Sequence, residues 1–183
     1  THKLNEEIKE LTHSNPVVNE KITLTNRKIE ETIEEVRGSY NYAQHIQKTY
    51  LPEDLDIREC FPDHFVLFRP KDIISGDFYF FSKKGNLRIF AVADCTGHGI
   101  PGAILSTIGY LLTDQAVNEI GMTQPAEILC HIYSRMHKFL RKDDEQPGIY
   151  DDMDIALYTV DVNTKIIDYA GVSIPLYCVS NVE

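Results

Sequence analysis

Two aspartates lie where a short hairpin would bring them together. Asp77 and Asp94 flank the run Lys83–Asn86, in which Gly85-Asn86 is a hairpin turn signal because both residues tolerate positive φ. With these two as the loop residues, Lys84 pairs with Leu87, and counting outward places Asp77 opposite Asp94. The two carboxylates then share one face of the sheet, with Cβ atoms about 4.5–5.5 Å apart.

Two like charges directly opposite each other are unfavourable, and three arrangements would relieve the repulsion. The pair shares a proton, with one pKa raised. Alternatively, the pair binds a divalent cation, for which clustered carboxylates are natural hard ligands. In the third arrangement the register is slipped, and one of the two aspartates lies in solvent.

A glycine-rich segment follows Asp94 directly and opens a helix. It runs Cys95-Thr96-Gly97-His98-Gly99-Ile100-Pro101-Gly102. Pro101 suits the first helical positions, and a helix N-terminus favours anions such as phosphate. Gly97, His98 and Gly99 are therefore candidate phosphate contacts, with His98 either an acid or a structural loop residue. Paired acids beside an anion-binding helix start suit phosphoester hydrolysis with bridging metals.

The elements that would position these residues are strands and helices in an α+β arrangement. Two apolar-periodic helices are predicted, Pro101–Ile120 and one that follows Pro125. The first has Ile104, Ile108, Leu111 and Leu112 on its apolar face. Residues 142–152 form a polar loop. The predicted strands are His64–Arg69, Asp77–Ser82, Leu87–Ala93, Asp154–Val160, Lys165–Ala170 and Leu176–Val179.

Residues 1–50 form a separate helical segment in which a heptad can be read. One register contains Ile22, Ile29, Val36 and Ala43, and the other contains Asn26, Ile33, Tyr40 and Gln47. This pattern predicts a parallel coiled coil that makes the protein a homodimer; the alternative is one amphipathic helix packed on its own domain. Pro16 argues against a single continuous helix from the start of the chain.

Bulk properties exclude several classes of function. A formal net charge of -10 argues against a nucleic-acid partner, since phosphate backbones need clustered Lys and Arg. The four cysteines are widely spaced, which disfavours a zinc site or a disulfide framework. No stretch has the roughly 20 apolar residues of a membrane span, so the chain is expected to be cytoplasmic. A first residue that is not methionine suggests a piece of a larger sensor protein.

Several motifs together resemble a known family. The segments Ser75–Tyr79 and Ala93–Ala103 are similar to the SpoIIE-like (RsbU-type) branch of the metal-dependent PPM, or 2C-type, protein serine/threonine phosphatases. Four further segments agree in order, so that the resemblance covers roughly residues 43 to 180. They are Ala43–Gln47 with Leu51-Pro52, Phe68–Ile74, Asp152–Leu157 and Tyr169–Tyr177.

The resemblance implies an α-β-β-α sandwich with two Mn²⁺ or Mg²⁺ ions at one end. It implies that metal-activated water hydrolyses phosphoserine or phosphothreonine on a partner signalling protein, typically a STAS-domain anti-sigma-factor antagonist. Carried over, Asp77 and Asp94 are catalytic metal ligands, and the backbone carbonyl of Cys95 is a third. Signals in the family commonly enter through an N-terminal helix. Residues 51–183 would then be the phosphatase domain.

The sequence departs from the family pattern in places. Relatives have further metal-binding aspartates in a Ser-Asp-Gly and an Asp-Asp motif, and this chain ends before either, so the sandwich is expected to be C-terminally incomplete. Asp151, Asp152 and Asp154 are interpreted as solvated loop acids, not replacements. Asp152 takes the place of a glycine, and residues 172–174 replace a small turn that contains Asn.

Two other functions remain open. One is a non-catalytic, helix-dimerised signalling module that binds its partner but holds metal poorly. The other is a nucleotide cyclase-like or different two-metal enzyme, since paired aspartates on adjacent strands occur outside phosphatases. The Thr96–Pro101 segment argues against the second of these.

Overall fold

The computed structural model describes residues 2–13, 16–140 and 152–179. In chain order the helices are α1 (His2–His13), α2 (Pro16–Tyr50), α3 (Asp54–Arg58), α4 (Gly99–Asp114) and α5 (Pro125–Leu140). The strands are β1 (Asp77–Lys84), β2 (Leu87–Cys95), β3 (Met153–Asp161) and β4 (Ile167–Val172). Most of the predicted polar loop, and Asp151 with it, lies outside the described residues. No helix in the described ranges combines the length and apolarity needed to cross a bilayer.

The chain divides into two compact units, residues 1–43 and 44–183. In the first unit, the second helix begins at Pro16, as expected for a residue that fits a helix start but not a helix interior. Its apolar heptad residues Ile22, Ile29, Ile33 and Val36 are 43–57% exposed. The coiled-coil dimer stays a prediction. Gln47, placed in the seam by the heptad pattern, belongs to the second unit and is buried there.

The second unit contains one antiparallel sheet of four strands in the order β1-β2-β3-β4. The β1–β2 hairpin has the predicted register, with Lys84 paired with Leu87 and Asp77 with Asp94. Gly85 makes this turn possible because its φ of 56° is left-handed backbone that few other residues adopt readily. The predicted α+β arrangement of helices and antiparallel strands is confirmed.

One face of the sheet builds the hydrophobic core. Alternate residues of β1, β2 and β3 point at α4 and α5 and are almost fully buried. From the sheet these are Phe78, Phe80, Ile89, Ala91, Ala93, Ile155 and Leu157; from the helices they include Leu105, Leu112, Ile128, Ile132 and Met136.

The other face of the sheet is aromatic. Phe90 and Tyr158 stack with ring centroids 4.8 Å apart, and Tyr158 lies 5.0 Å from Tyr169. The segment after α3 crosses part of this face, where Phe61 meets the edges of Phe81 and Phe90. An open apolar groove of about 670 Å³ lies between this segment and the hairpin.

Two predicted strands are wrong. His64–Arg69 forms no ladder, and Phe65 is 87% exposed. The segment packs on the sheet face through side chains instead, with the Phe68 ring against Tyr79. Leu176–Val179 is also irregular, because β4 ends in a turn at Ser173, whose φ is 61°. The strand predicted at Lys165–Ala170 forms, but it is shifted by two residues to Ile167–Val172, since Lys165 belongs to the turn before β4.

The apolar face assigned to the first long helix is only partly correct: Leu112 is in the core and Ile108 packs against it, but the other two residues are misplaced. Ile104 and Leu111 are exposed, whereas Leu105, Gly109 and Leu112 face the sheet. Small and hydroxylated residues let α4 approach the sheet closely, and a hydrophobicity pattern does not detect them. The helix continues into a π-helical turn, Gln115–Glu119, so the predicted end near Ile120 is nearly correct.

Adding one methyl group at Gly109 tests this close approach. A Cβ there would lie 2.9 Å from Phe78 Cε1 and 3.0 Å from Met153 Sδ, so Gly109→Ala overpacks the core. We expect it to lower the free energy of unfolding by about 1–3 kcal/mol. The matched control is Gly38→Ala in α2, where nothing lies within 4 Å and helix propensity should add about 0.5–1 kcal/mol. Urea unfolding followed by circular dichroism measures both; equal effects would contradict the packing.

Candidate metal centre

Asp77 and Asp94 stand directly opposite each other at one end of the hairpin. Asp77 is the first residue of β1, and Asp94 is the last but one of β2. The register predicted from the turn is therefore confirmed, and the slipped alternative is wrong. No Lys, Arg or His forms an ion pair with either carboxylate within the described residues.

The close pairing changes the proton affinity of Asp77. Partial burial raises the pKa of Asp77, and a hydrogen bond with Asp94 and its negative charge raise it further. A raised pKa of Asp77 is expected if the two carboxylates share a proton. It is also expected if they form a cation site that holds no cation, because the two negative charges then repel each other. The observed arrangement of Asp77 and Asp94 is therefore compatible with both a shared proton and a divalent cation.

A third aspartate extends the row. Asp154 lies in β3 directly opposite Asp94 and is exposed. The predicted strand start at Asp154 is confirmed within one residue, because β3 begins at Met153, so the interpretation of Asp154 as a loop acid is wrong. The expectation that it is solvated holds. The alternation of Met153, Ile155 and Leu157 toward the core was the signal that puts Asp154 on the face of Asp94.

Asp152 does hold a loop position, with a structural role. The amide and hydroxyl of Thr96 both donate to the Asp152 carbonyl at 2.9 Å, and the Asp152 amide donates back to Thr96 Oγ1 at 3.1 Å. These bonds tie the start of the glycine-rich loop to the start of β3. The loop that follows Asp94 is therefore fixed on the side of Asp154.

Backbone contacts between glycines fix the loop on its other side. The Cys95 amide donates to the Gly76 carbonyl at 3.2 Å. A Cβ at Gly102 would lie 2.5 Å from the Gly97 carbonyl oxygen, and one at Gly76 would lie 2.9 Å from the same atom. No side chain fits at these contacts, so glycine lets three backbone segments meet next to the aspartates.

The Cys95 side chain is buried in the core. Burial, together with the charges of Asp94 and Asp77, raises the pKa of Cys95 to about 12. In the metal-free protein the thiol is therefore neutral at physiological pH, and it packs with the core residues behind the sheet. The sequence-based assignment concerns the backbone carbonyl of Cys95, and it stays a prediction.

The three candidate phosphate contacts are placed differently. Gly97 borders a small polar cavity of about 240 Å³, together with Asp94, Cys95, Thr96 and Asp154. Gly99 begins α4 and does not line that cavity. His98 precedes α4, is largely exposed, and pairs through Nδ1 with Asp72 Oδ2 at 3.1 Å. The Asp72 partner was missed, because its 26-residue separation leaves no local pattern.

The donor set fits a hydrated divalent cation in part. Mg²⁺ is often held by only one or two carboxylates, with waters in the remaining positions, and Asp77 with Asp94 meets that requirement. Within residues 2–13, 16–140 and 152–179, however, no group of three or more Asp, Glu, His or Cys side chains is arranged to hold a metal. Asp77 borders the apolar groove instead of the small polar cavity, and only Asp94 borders both.

Removing one charge of the pair should stabilise the metal-free protein. The raised pKa means that ionised Asp77 costs stability above its folded-state pKa, and that the cost disappears as the pH falls below the ordinary Asp value. We expect Asp77→Asn to raise the unfolding free energy at pH 7 by up to about 1 kcal/mol, with little effect at pH 3.

Asp161→Asn is the matched control with the opposite sign. Amide hydrogen bonds from Thr164 and Asn163 lower the pKa of Asp161, so its ionised form stabilises the fold, and that contribution is lost on acidification. Asp161→Asn should therefore lower the melting temperature at pH 7, in the presence of a chelator. Destabilisation by Asp77→Asn under the same conditions would contradict the charge-repulsion account.

Comparison with solved structures finds a similar domain. The chain is similar to the SiaA-PP2C domain of Pseudomonas aeruginosa, with a TM-score of 0.66 and 29% sequence identity over 76% of this chain. It spans 55% of the length of that chain. A more distant likeness, to the RsbU and RsbW domains of Rv1364c from Mycobacterium tuberculosis, has 18% identity and a TM-score of 0.40 over 50% of this chain and 23% of that one.

No family model matches the sequence, and comparison with curated proteins gives no significant match. The fold of the SiaA-PP2C domain agrees with the fold that the motifs at Ser75–Tyr79 and Ala93–Ala103 predict. The predicted resemblance of this chain to PPM, or PP2C-type, phosphatase domains is thus confirmed.

Proposed function

We propose that this chain is the core of a metal-dependent protein phosphatase that hydrolyses phosphoserine or phosphothreonine on a partner protein. The observation that carries the proposal is the Asp77–Asp94 pair, which lies directly across a hairpin beside the glycine-rich start of α4. The pair has no cationic partner among the described residues, and the surrounding fold is that of a PP2C domain.

Asp77, Asp94 and the Cys95 carbonyl are the groups that would hold divalent cations, Mn²⁺ or Mg²⁺. When bound, such ions supply an activated water and neutralise charge on the phosphoryl group. The protein's own contribution is positioning: the hairpin register fixes the carboxylates, and the bonds between Thr96 and Asp152 fix the loop. Asp154, next to Asp94, adds negative charge at the same edge.

The start of α4 would orient the phosphate. The first amide groups of a 16-residue helix lack intrahelical partners and carry partial positive charge. The loop Gly97–Gly99 brings its backbone to this position, and Asp72 restrains the His98 ring at the helix entrance. This arrangement can receive the anionic part of a phosphorylated side chain.

The partner proposed from the resemblance is a phosphorylated signalling protein of the STAS type, acting in the cytoplasm. The exposed heptad residues of α2, from Ile22 to Val36, suit a parallel homodimer. The net charge of -10 is consistent with a protein partner and disfavours nucleic acid.

A non-catalytic signalling module is the second candidate. It is favoured by the lack, within the described residues, of any group of three metal-binding side chains. Such a module would bind its partner protein and hold metal weakly. The two candidates differ in whether binding of a cation leads to hydrolysis.

Charge removal at Asp94 tests the proposal. We expect Asp94→Asn to weaken Mn²⁺ binding by more than about tenfold, because it removes a ligand instead of an outer-shell partner. Release of phosphate from a phosphoserine peptide should fall to background. Titration calorimetry measures binding on the 183-residue chain, and the assay uses the longest form that the gene encodes. Asp168→Asn, an exposed change on β4 outside the site, is the matched control and should behave as wild type.

Each outcome distinguishes the candidates. Equal Mn²⁺ affinity of wild type and Asp94→Asn would contradict a metal site at the hairpin. Tight, Asp94-dependent Mn²⁺ binding with no hydrolysis of several phosphopeptides would favour the non-catalytic module.

A further inference from the structure

A buried glutamine holds the backbone just before Asp77. Gln47, in the last turn of α2, is 5% exposed. Its Oε1 accepts a hydrogen bond from the Ser75 amide at 2.8 Å, and its Nε2 donates to the Ser75 carbonyl at 2.7 Å. Nε2 also lies 3.1 Å from Ser106 Oγ in α4. One carboxamide therefore pairs both peptide groups of a single residue.

This pairing imitates a strand partner. In an antiparallel ladder, a hydrogen-bonded residue exchanges both N–H and C=O with the residue opposite. Ser75 precedes β1 and has no strand neighbour there, and Gln47 supplies the two bonds in its place. Ser106 reinforces the arrangement, since its hydroxyl also donates to the Ser75 carbonyl, at 3.0 Å. Ser75 and Ser106 are both buried, so water cannot substitute for these bonds.

The held segment leads directly to both sides of the carboxylate pair. The Asp77 amide donates to Ser75 Oγ at 2.9 Å, so the start of β1 is bonded to the residue that Gln47 holds by two hydrogen bonds. Between them, the Gly76 carbonyl accepts from the Cys95 amide, and Gly76 packs against the Gly97 carbonyl. A shift of Ser75 would therefore move Asp77 relative to Asp94 and would loosen the loop that follows Asp94.

We propose that Gln47 is a positioning residue for the metal centre: its carboxamide fixes Ser75 so that Asp77 and Asp94 reach the same cation. The proposal rests on the metal-binding function proposed above. Since Gln47 is part of α2, the end of that helix and the geometry of the carboxylate pair depend on each other.

A purely space-filling role for Gln47 predicts something different. Methionine is similar in length and size, and it would fill the same volume without making the three polar contacts. If packing alone mattered, Gln47→Met would change the overall stability of the unit. Exchange of the site amides would then change by the same factor as exchange at the hairpin centre, and the metal affinity would not change separately. If the hydrogen bonds matter, the losses concentrate at Ser75–Asp77 and at Cys95.

The test compares Gln47→Met with Gln44→Met. Gln44 lies one turn earlier on α2 and donates a single bond, to the Ile73 carbonyl at 2.7 Å, so it offers the same substitution without the grip on Ser75. In the metal-free chain, hydrogen exchange is measured by NMR at the Asp77 and Cys95 amides, relative to Phe80 and Ala91 in the middle of the hairpin. Mn²⁺ affinity is measured by calorimetry on the same samples.

We expect Gln47→Met to speed exchange at Asp77 and Cys95 by about tenfold relative to the hairpin centre, and to weaken Mn²⁺ binding by a similar factor. Gln44→Met should change each by less than about twofold. Ser75→Ala, which removes only the acceptor of the Asp77 amide, is a milder second variant that should speed exchange at Asp77 even if Gln47→Met folds poorly.

The outcomes separate this proposal from the proposed function. Unchanged relative exchange at Asp77 and Cys95 in both Gln47→Met and Ser75→Ala would overturn the positioning role. The same holds if Gln44→Met weakens Mn²⁺ binding as much as Gln47→Met does. If the wild-type chain binds no Mn²⁺ but the exchange differences appear, the metal function fails and the positioning of Asp77 by Gln47 stands.

Discussion

The repulsion between Asp77 and Asp94 is the constraint around which the second unit is arranged. A two-residue turn sets the register of the hairpin, and the register places the two carboxylates opposite each other. Evenly hydrophobic strands would have avoided the cost of this pairing. The chain instead keeps both acids at one end of the sheet, next to tight backbone contacts among Gly76, Gly97 and Gly102. An unfavourable pairing of like charges is typical of functional sites, where residues are arranged for binding and not for the stability of the fold.

The part of the site that local rules govern could be predicted. A turn signal and a period of two are enough to fix β1, β2 and the facing aspartates, because every relevant contact lies within a span of about twenty residues. The helix start after Pro16 follows from the same kind of local rule. The motif resemblance also gave the fold, which the likeness to the SiaA domain supports.

Long-range contacts could not be read in the same way. Asp154 pairs with Asp94 only because β3 lies beside β2, and the two are 60 residues apart in the sequence. Gln47 falls in the heptad pattern of α2, which predicted a position in a coiled-coil seam between two chains, whereas the fold places its side chain inside the globular unit. The strand predicted at His64–Arg69 has suitable composition but no free ladder position; its side chains pack across an aromatic face instead. In each case a partner distant in sequence decides the outcome.

The cysteines have a practical consequence for studying this protein. Cys95, next to the aspartates, is buried with a pKa of about 12, whereas Cys130 on α5 and Cys178 after β4 are exposed. A thiolate is the nucleophile that attacks a maleimide or a thiol-reactive nitroxide reagent, so these reagents will label the two exposed positions and leave Cys95 unmodified. Optical or paramagnetic reporters can therefore be attached at both places in the natural sequence, and distances from them can be followed while the chemistry of the site is unchanged.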